Sequence, residues 1–376
     1  MPAQQGVRRM QLLNHDMTTT PMTTRLASAL IALSGLIAVA APLRAQMQTE
    51  PPPVVAGAKP VTVERIKIHG ASLEGNLEGN AVERDTFVFL PPSYHQDRKR
   101  RYPVVYALHG YSIGAEQWTK EIHVPQTIEG AFALGAKEMI VVLPDSKTLH
   151  NGSMYSSSVT TGDFENFIAR DVVAYIDAHY RTIPARESRG LVGHSMGGYG
   201  AARIGMKHAD VFGSLYLMSP CCLSARGAPP QEAMENLAKL ERREDLENQH
   251  FMVRATLAVA AAWSPNPNKP PFYVDLPVGD AQADVLAKWA ANAPLAFVDQ
   301  YIGNLKRYRA IALDVGDKDG LRVDTAALHR QITAYGIPAS FEEYDGDHTN
   351  RLGDRFQNHV LKFFSETLCF DARCRK

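Results

Sequence analysis

An excess of charge of either sign is missing from this chain: 40 Lys and Arg face 40 Asp and Glu in 376 residues. So even a balance offers no net field to gather nucleic acid or an anionic membrane, and a small-molecule or neutral polymeric substrate fits better. Long apolar runs are missing too. The stretch Leu26 to Ala41 ends at roughly 16 residues, short of the ~20 that cross a bilayer. There is no H-E-x-x-H zinc pattern and no internal repeat, and cysteine is scarce, with four in the chain. What is present, 45% hydrophobic and 21% charged residues, is an ordinary globular composition able to bury one large core or two modest ones.

The apolar stretch follows Arg25 and precedes Leu43-Arg44-Ala45, the layout of a signal peptide with a small-residue cleavage site. A membrane anchor is the competing reading, and length disfavours it. Met17 and Met22 are alternative starts. The expected organisation is a signal peptide over residues 1–45 cut after Ala45, a Pro-rich flexible linker over 46–60, and one domain over 61–376, secreted or periplasmic, with no membrane span after processing. Without the leader, 36 basic residues face 39 acidic ones. Export makes the cysteines candidate disulfides rather than metal ligands. Cys369 and Cys374 can close a small loop, Cys221 and Cys222 are adjacent and would need a strained bond, and pairing across the two groups stays open. Oligomeric state is not legible.

From Val61 onward short β-rich runs alternate with helical stretches, the pattern of a mostly parallel sheet with helices on both faces. Strands are expected at Val61 to Ile68, Thr86 to Leu90, Val104 to Leu108, Met139 to Leu143, Gly190 to Gly193, Ser214 to Leu217, Ile311 to Val315 and Phe341 to Tyr344. Phe164, Phe167, Ile168, Val172, Tyr175 and Ile176 recur at helical spacing, as do Leu352, Phe356, Val360 and Phe364. Residues 223–309 break the alternation as an insertion before the seventh strand, with a charged helix expected over Gln231 to Asn248 and then the aromatic, Pro-rich WSPNPNKPPFYVDLP. Above the strand ends, such an insertion can line a ligand crevice. Trp263, Phe272, Tyr273 and Trp289, with Trp118 after the third strand, are the candidate substrate-binding residues.

In LVGHSMGGYG, Gly193, Ser195 and Gly197 form G-x-S-x-G between a β run and a helical run, the context of a nucleophile elbow. The turn is so tight that side chains two residues either side of Ser195 would clash, and Gly198 permits close helix packing. A serine hydroxyl needs a base, and the base needs an orienting acid. His348 follows the last strand in YDGDHTNRL, where a catalytic base belongs, whereas His329 and His359 fall within helical patterns. LDVGDKDGL offers Asp319, Asp317 and Asp314 as acids, favoured in that order. A calcium loop is excluded there, because Asp317, Asp319 and Gly320 at positions three, five and six put Val315 at one and Ala326 at twelve. No metal or cofactor is expected. Acyl transfer also needs an oxyanion hole. The Met196 N–H supplies one donor, and the loop HGYS after the third strand supplies the Tyr111 N–H as the other.

RYPVVYALHGYS, GDFENFIARDVVAYIDAHYRT, LVGHSMGG, LDVGDKDGL and GDHTNRL together resemble the esterase family of α/β-hydrolases that includes feruloyl and acetylxylan esterases, S-formylglutathione hydrolase, enterochelin esterases and mycobacterial mycolyltransferases. The resemblance spans about Arg84 to Glu366 without much of the insertion. It implies the α/β-hydrolase fold, and a Ser195–His348–Asp319 triad acting through an acyl-enzyme, with Met196 and Tyr111 as oxyanion donors. It also implies a small-molecule or carbohydrate-linked ester as substrate. An acyltransferase using an alcohol acceptor is the nearer alternative, and a non-catalytic binding module the remote one.

Overall fold

Runs of β-branched and aromatic residues build the central layer of the structure, a computed structural model that describes residues 49–225, 231–246 and 249–371. The leader, its cleavage site, residues 46–48 of the linker and Cys374 lie outside the described residues. Eight strands form one sheet: β1 Thr62–His69, β2 Glu83–Leu90, β3 Val104–Leu108, β4 Ile140–Pro144, β5 Arg189–His194, β6 Ser214–Met218, β7 Ala310–Gly316 and β8 Ser340–Tyr344. Their order is β1-β2-β4-β3-β5-β6-β7-β8. The β1–β2 and β2–β4 pairs are antiparallel and all others parallel.

Every residue of β3, β4 and β6 is buried, as expected of parallel strands covered on both faces. At the edges β1 and β8 mostly alternate exposed with half-buried positions. Along β3, Val104, Tyr106 and Leu108 enter one core while Val105 and Ala107 enter the other. The first core lies under the helix over residues 164–179, the helix Met196–Lys207 and the insertion; the second lies under helices Ala115–Glu121 and Val124–Ala133 and the C-terminal helix over residues 352–367.

The insertion differs from expectation in one respect. Instead of one charged helix there is a helix Gln231–Ala238 and then a 3-10 turn Arg243–Leu246. Arg243 is turned inward, donating to the carbonyls of Pro271 and Glu78. Tertiary bonding has overridden helix propensity here. Cys369 is disulfide-bonded, whereas Cys221 and Cys222 are free thiols. Among the described residues no helix is long and apolar enough to cross a membrane.

Strand order reverses around β3: the chain leaves it for β4 on one side and continues with β5 on the other. In open α/β sheets, the crevice at such a switch point is where ligands bind. The two loops that leave β3 and β5 begin at His109 and Ser195.

Candidate active site

Backbone contact dictates the turn after β5. A Cβ on Gly193 would lie 2.0 Å from the carbonyl oxygen of Gly197, and one on Gly197 would lie 2.0 Å from that of Leu108. Only glycine fits either place. Ser195 between them has φ 56° and ψ −114°, a strained conformation for an L-residue. It is held there by its N–H on the Met218 carbonyl (3.0 Å), while its own carbonyl takes the N–H groups of Tyr199 and Cys221 (each 3.0 Å). The helix Met196–Lys207 starts at the next residue.

Two further loops meet this turn. The Ser195 Oγ is 2.9 Å from Nε2 of His348, and the Nδ1 of His348 is 2.7 Å from Oδ2 of Asp319. With the Nδ1–H on the carboxylate, Nε2 is left to accept the serine proton. Asp319 is buried, and Oδ1 also accepts the Leu321 N–H at 2.9 Å. Burial by itself would raise its carboxyl, but the hydrogen bond and charge of His348 and the Leu321 N–H hold it below the usual aspartate value.

The other two aspartates of the cluster have different partners. Asp317 accepts the Gly346 N–H (3.0 Å) and gives its own N–H to the Tyr344 carbonyl (2.8 Å), tying the turn after β7 to the loop that carries His348. Asp314 is fully buried in the sheet, its Oδ2 bonded to Tyr216 Oη and Arg355 Nε, each at 2.9 Å. Burial raises its carboxyl to about 6 even against the pull of Arg355. The two histidines set aside also have structural partners: His329 stacks on Phe341 and bonds the Ala339 carbonyl, and His359 pairs with Glu342 at 3.3 Å.

On the other side of Ser195, a Cβ on Gly110 would sit 3.7 Å from that of Ser195, so the loop after β3 rests directly on the serine. His109 fixes that loop: its Nδ1 bonds the Gly110 carbonyl (2.9 Å) and its Nε2 accepts the Ser146 N–H (2.8 Å). Tyr111 and Met196 both lie against Gly152, where a Cβ would meet Tyr111 Cδ2 at 2.7 Å and Met196 Sδ at 2.6 Å. Among the described residues, neither the Tyr111 nor the Met196 N–H has a protein acceptor.

His194 is a site residue that the motif did not single out. Buried beside the nucleophile, its Nε2 lies 2.8 Å from the His348 carbonyl oxygen, and the rings are 4.7 Å apart. Burial and the neighbouring His348 push it down to about 3, so the neutral ring donates Nε2–H and helps hold the His348 backbone. Its signal was position alone, directly before Ser195.

The aromatic residues proposed to line the substrate site are packed elsewhere. Trp118 is fully buried in the second core, its ring 5.6 Å from Phe356, on the face of the sheet opposite the insertion. Trp263 lies in the first core, its indole donating to Ser156 Oγ (3.2 Å) and its ring 5.4 Å from Tyr199. Trp289 donates to Ser264 Oγ at 2.9 Å, and Phe272 is buried near His150. Tyr273 is half-buried, its carbonyl taken by the Thr160 hydroxyl at 2.7 Å. Trp118 is therefore corrected to a core residue, and the three buried insertion aromatics glue the insertion to the sheet. Half-buried Tyr111 is instead the aromatic on the loop beside Ser195, its ring 5.2 Å from Phe251, which is 46% exposed.

Comparison with known proteins agrees with this architecture. A ferulic acid esterase superposes with a TM-score of 0.59 at 23% identity, over 82% of this chain and 99% of its own. An S-formylglutathione hydrolase from Agrobacterium tumefaciens gives 0.55 at 16% identity, over 86% and 100%. At such identities the likeness establishes the fold. In sequence, an esterase of Mycobacterium tuberculosis is 30% identical over 130 residues, 34% of this chain and 27% of the relative. An endo-1,4-beta-xylanase/feruloyl esterase of Xylanibacter ruminicola is 28% identical over 138 residues, 35% and 19%. The matches thus span about a quarter or less of these longer relatives. The esterase family model covers residues 80–360, from β2 to the last helix, and includes every loop that meets at Ser195. With its sheet order, its elbow and that match, the chain belongs to the esterase family.

Proposed function

We propose that the protein hydrolyses carboxylic esters, with Ser195 as nucleophile, His348 as general base and acid, and Asp319 as the group that orients and charges against His348. The observation that carries this reading is the unbroken relay from Ser195 Oγ through His348 to buried Asp319, set on a strained turn. As Ser195 attacks the ester carbonyl, its proton passes to His348 Nε2 and the imidazolium is stabilised by Asp319. The N–H groups of Met196 and Tyr111 receive the oxyanion, and backbone donors already fixed in place need no reorganisation when the charge develops. His348 then protonates the leaving alcohol, and water deprotonated by the same ring releases the acid from the acyl-serine.

The substrate is a small or carbohydrate-linked ester, and the feruloyl esterase names among the relatives put feruloyl and similar aromatic-acid esters high in a screen. Export by the N-terminal leader completes the proposal, with a mature N-terminus near Ala45 as its check by N-terminal sequencing.

Ser195→Ala should fold normally and lose ester hydrolysis to background, because a triad acts as a unit. An aryl phosphonate should add covalently to wild type and not to the variant, read by intact mass. Near-normal turnover in the folded variant would sink the assignment. Running the wild-type assay with a competing alcohol separates hydrolysis from acyl transfer.

A further inference from the structure

The rim of the Ser195 site carries a charge that the hydrolytic chemistry does not use. Arg254 stands in the first turn of the helix Phe251–Trp263, half-buried. With the Asn151 amide oriented oxygen-inward, that oxygen accepts from Arg254 Nε at 3.2 Å and Nη2 at 2.9 Å. Among the described residues no carboxylate pairs with this guanidinium, and Nη1 has no protein acceptor. One edge of the fork, Nη1 and the second hydrogen of Nη2, is therefore free.

The position ties it to the reaction. Asn151 also gives its carbonyl to the Ser112 N–H (3.1 Å), so Arg254 is bonded to the loop that packs on the proposed oxyanion residue Tyr111. The Tyr111 hydroxyl donates to the carbonyl of His150, the residue before Asn151, at 2.9 Å. Gly152, next to Asn151, lies against both Met196 and Tyr111, so Arg254 is joined through Asn151 to the segment that touches both proposed oxyanion residues. Phe251 packs edge-on to the Tyr111 ring, and exposed Met252 follows it.

Nor does the surrounding charge neutralise it. Behind the 145–156 loop the nearby titratable groups are Glu78, His150 and Arg243. Burial lifts the Glu78 carboxyl to about 7 and pushes His150 down to about 3, so Glu78 is at most partly ionised at neutral pH and His150 is neutral, while Arg243 adds a second positive charge. A half-buried guanidinium in such a field is matched by a carboxylate, which the planar fork can take with two parallel N–H donors.

We propose that Arg254 determines specificity by receiving a carboxylate carried by the ester substrate itself, so that the preferred substrates are anionic esters. The inference rests on the hydrolase reading of Ser195. The carboxylate can sit on the acyl chain or on the alcohol, and the test separates the two.

Two isosteric pairs serve as probes. The acyl arm compares the monoanion of phenyl adipate with phenyl adipamate; the alcohol arm compares 4-acetoxybenzoate with 4-acetoxybenzamide. Each rate is normalised to alkaline hydrolysis, and the readout is the charged-to-neutral ratio of kcat/KM. In one arm the wild-type ratio should exceed one by about tenfold to a hundredfold, the range of a charge-assisted hydrogen bond. It should collapse in Arg254→Gln, survive in part in Arg254→Lys, and fall as salt is raised. A wild-type ratio at or below one in both arms would overturn the proposal. So would a ratio unmoved by Arg254→Gln in a protein that melts like wild type. Failure of wild type to hydrolyse any of the four esters would instead strike the Ser195 reading, and this one with it.

Discussion

At the carboxyl ends of β3, β5 and β7, position is enforced by main chain; in the insertion over residues 223–309, it is enforced by side chains. Gly193 and Gly197 leave no room for a Cβ, and a Cβ on Gly316 would lie 2.3 Å from the Gly346 carbonyl oxygen, so the Ser195 turn meets the end of β3, and the loop bearing Asp319 meets the loop bearing His348, backbone to backbone. The insertion instead holds on to the body through Trp263 to Ser156 and Arg243 to the Glu78 carbonyl, and is braced within itself by Trp289 to Ser264 and Arg243 to the Pro271 carbonyl. Backbone-to-backbone contact constrains residue type at the turn itself. Side-chain anchoring constrains only size and polarity, so it leaves a composition in the sequence rather than a motif.

The sharpest way to break this comparison is to remove carboxylates along the turn after β7. Asp319→Asn should lower kcat by about 10³- to 10⁴-fold, since the His348 ring loses both its tautomer control and its counter-charge. Asp317→Asn should cost far less, because an amide oxygen can still accept the Gly346 N–H. Asp314→Asn should act on stability: it leaves the buried Arg355 with only the half-exposed Glu342, a loss of up to about 3 kcal/mol in urea unfolding. A crippled Asp317→Asn beside an active Asp319→Asn would show that the relay seen here is not the working one.

How much of this was legible follows the same division. All eight strands could be placed to within a few residues: the inner ones are nearly continuous apolar runs, and the edge strands β1 and β8 mostly alternate. Ser195, His348 and Asp319 were legible because each sits in a turn with a glycine at fixed offset. His194 was not, since the pattern leaves its position free and its role depends on a carbonyl that is distant in sequence. The insertion aromatics misled for a related reason. A cluster of Trp, Phe and Tyr has the same composition whether it lines a crevice or fills a core, and only the burial of Trp263 and Trp289 distinguishes the two.

A middle-sized test addresses that ambiguity. Trp263→Ala should destabilise the fold by about 3–5 kcal/mol, as large-to-small changes in cores do, and leave the Ser156 hydroxyl without its indole donor. Relative kcat/KM across a series of acyl esters should keep its order, measured well below the variant's melting temperature. A variant that is as stable as wild type but reorders the series would return Trp263 to the substrate crevice.

The smallest expected effect lies where insertion and body meet, at the buried pair of Glu78 and His150, whose Oε1 and Nε2 are 3.4 Å apart. Burial raises the Glu78 carboxyl from 4.5 to about 7, opposed by the Asn80 amide and Arg243. The folded protein therefore holds this proton more tightly than the unfolded chain, and between pH 4.5 and 7 it binds more protons than the unfolded chain does. Stability from this group must then fall as pH rises through that window. His150, pushed from 6.5 down to about 3, works in the opposite sense: the unfolded chain binds more protons between pH 3 and 6.5, so its contribution rises with pH. The two slopes largely cancel between pH 4.5 and 6.5 in wild type. Glu78→Gln removes the first and keeps the second, with an amide that preserves the volume. Relative to wild type, the variant should gain about 2–3 kcal/mol of unfolding free energy between pH 4.5 and 8, read from urea melts at a series of pH values. A pH-independent difference would mean that Glu78 is ionised throughout and paired more closely with Arg243 than the geometry indicates. The joint between insertion and body would then be an ion pair rather than a neutral contact.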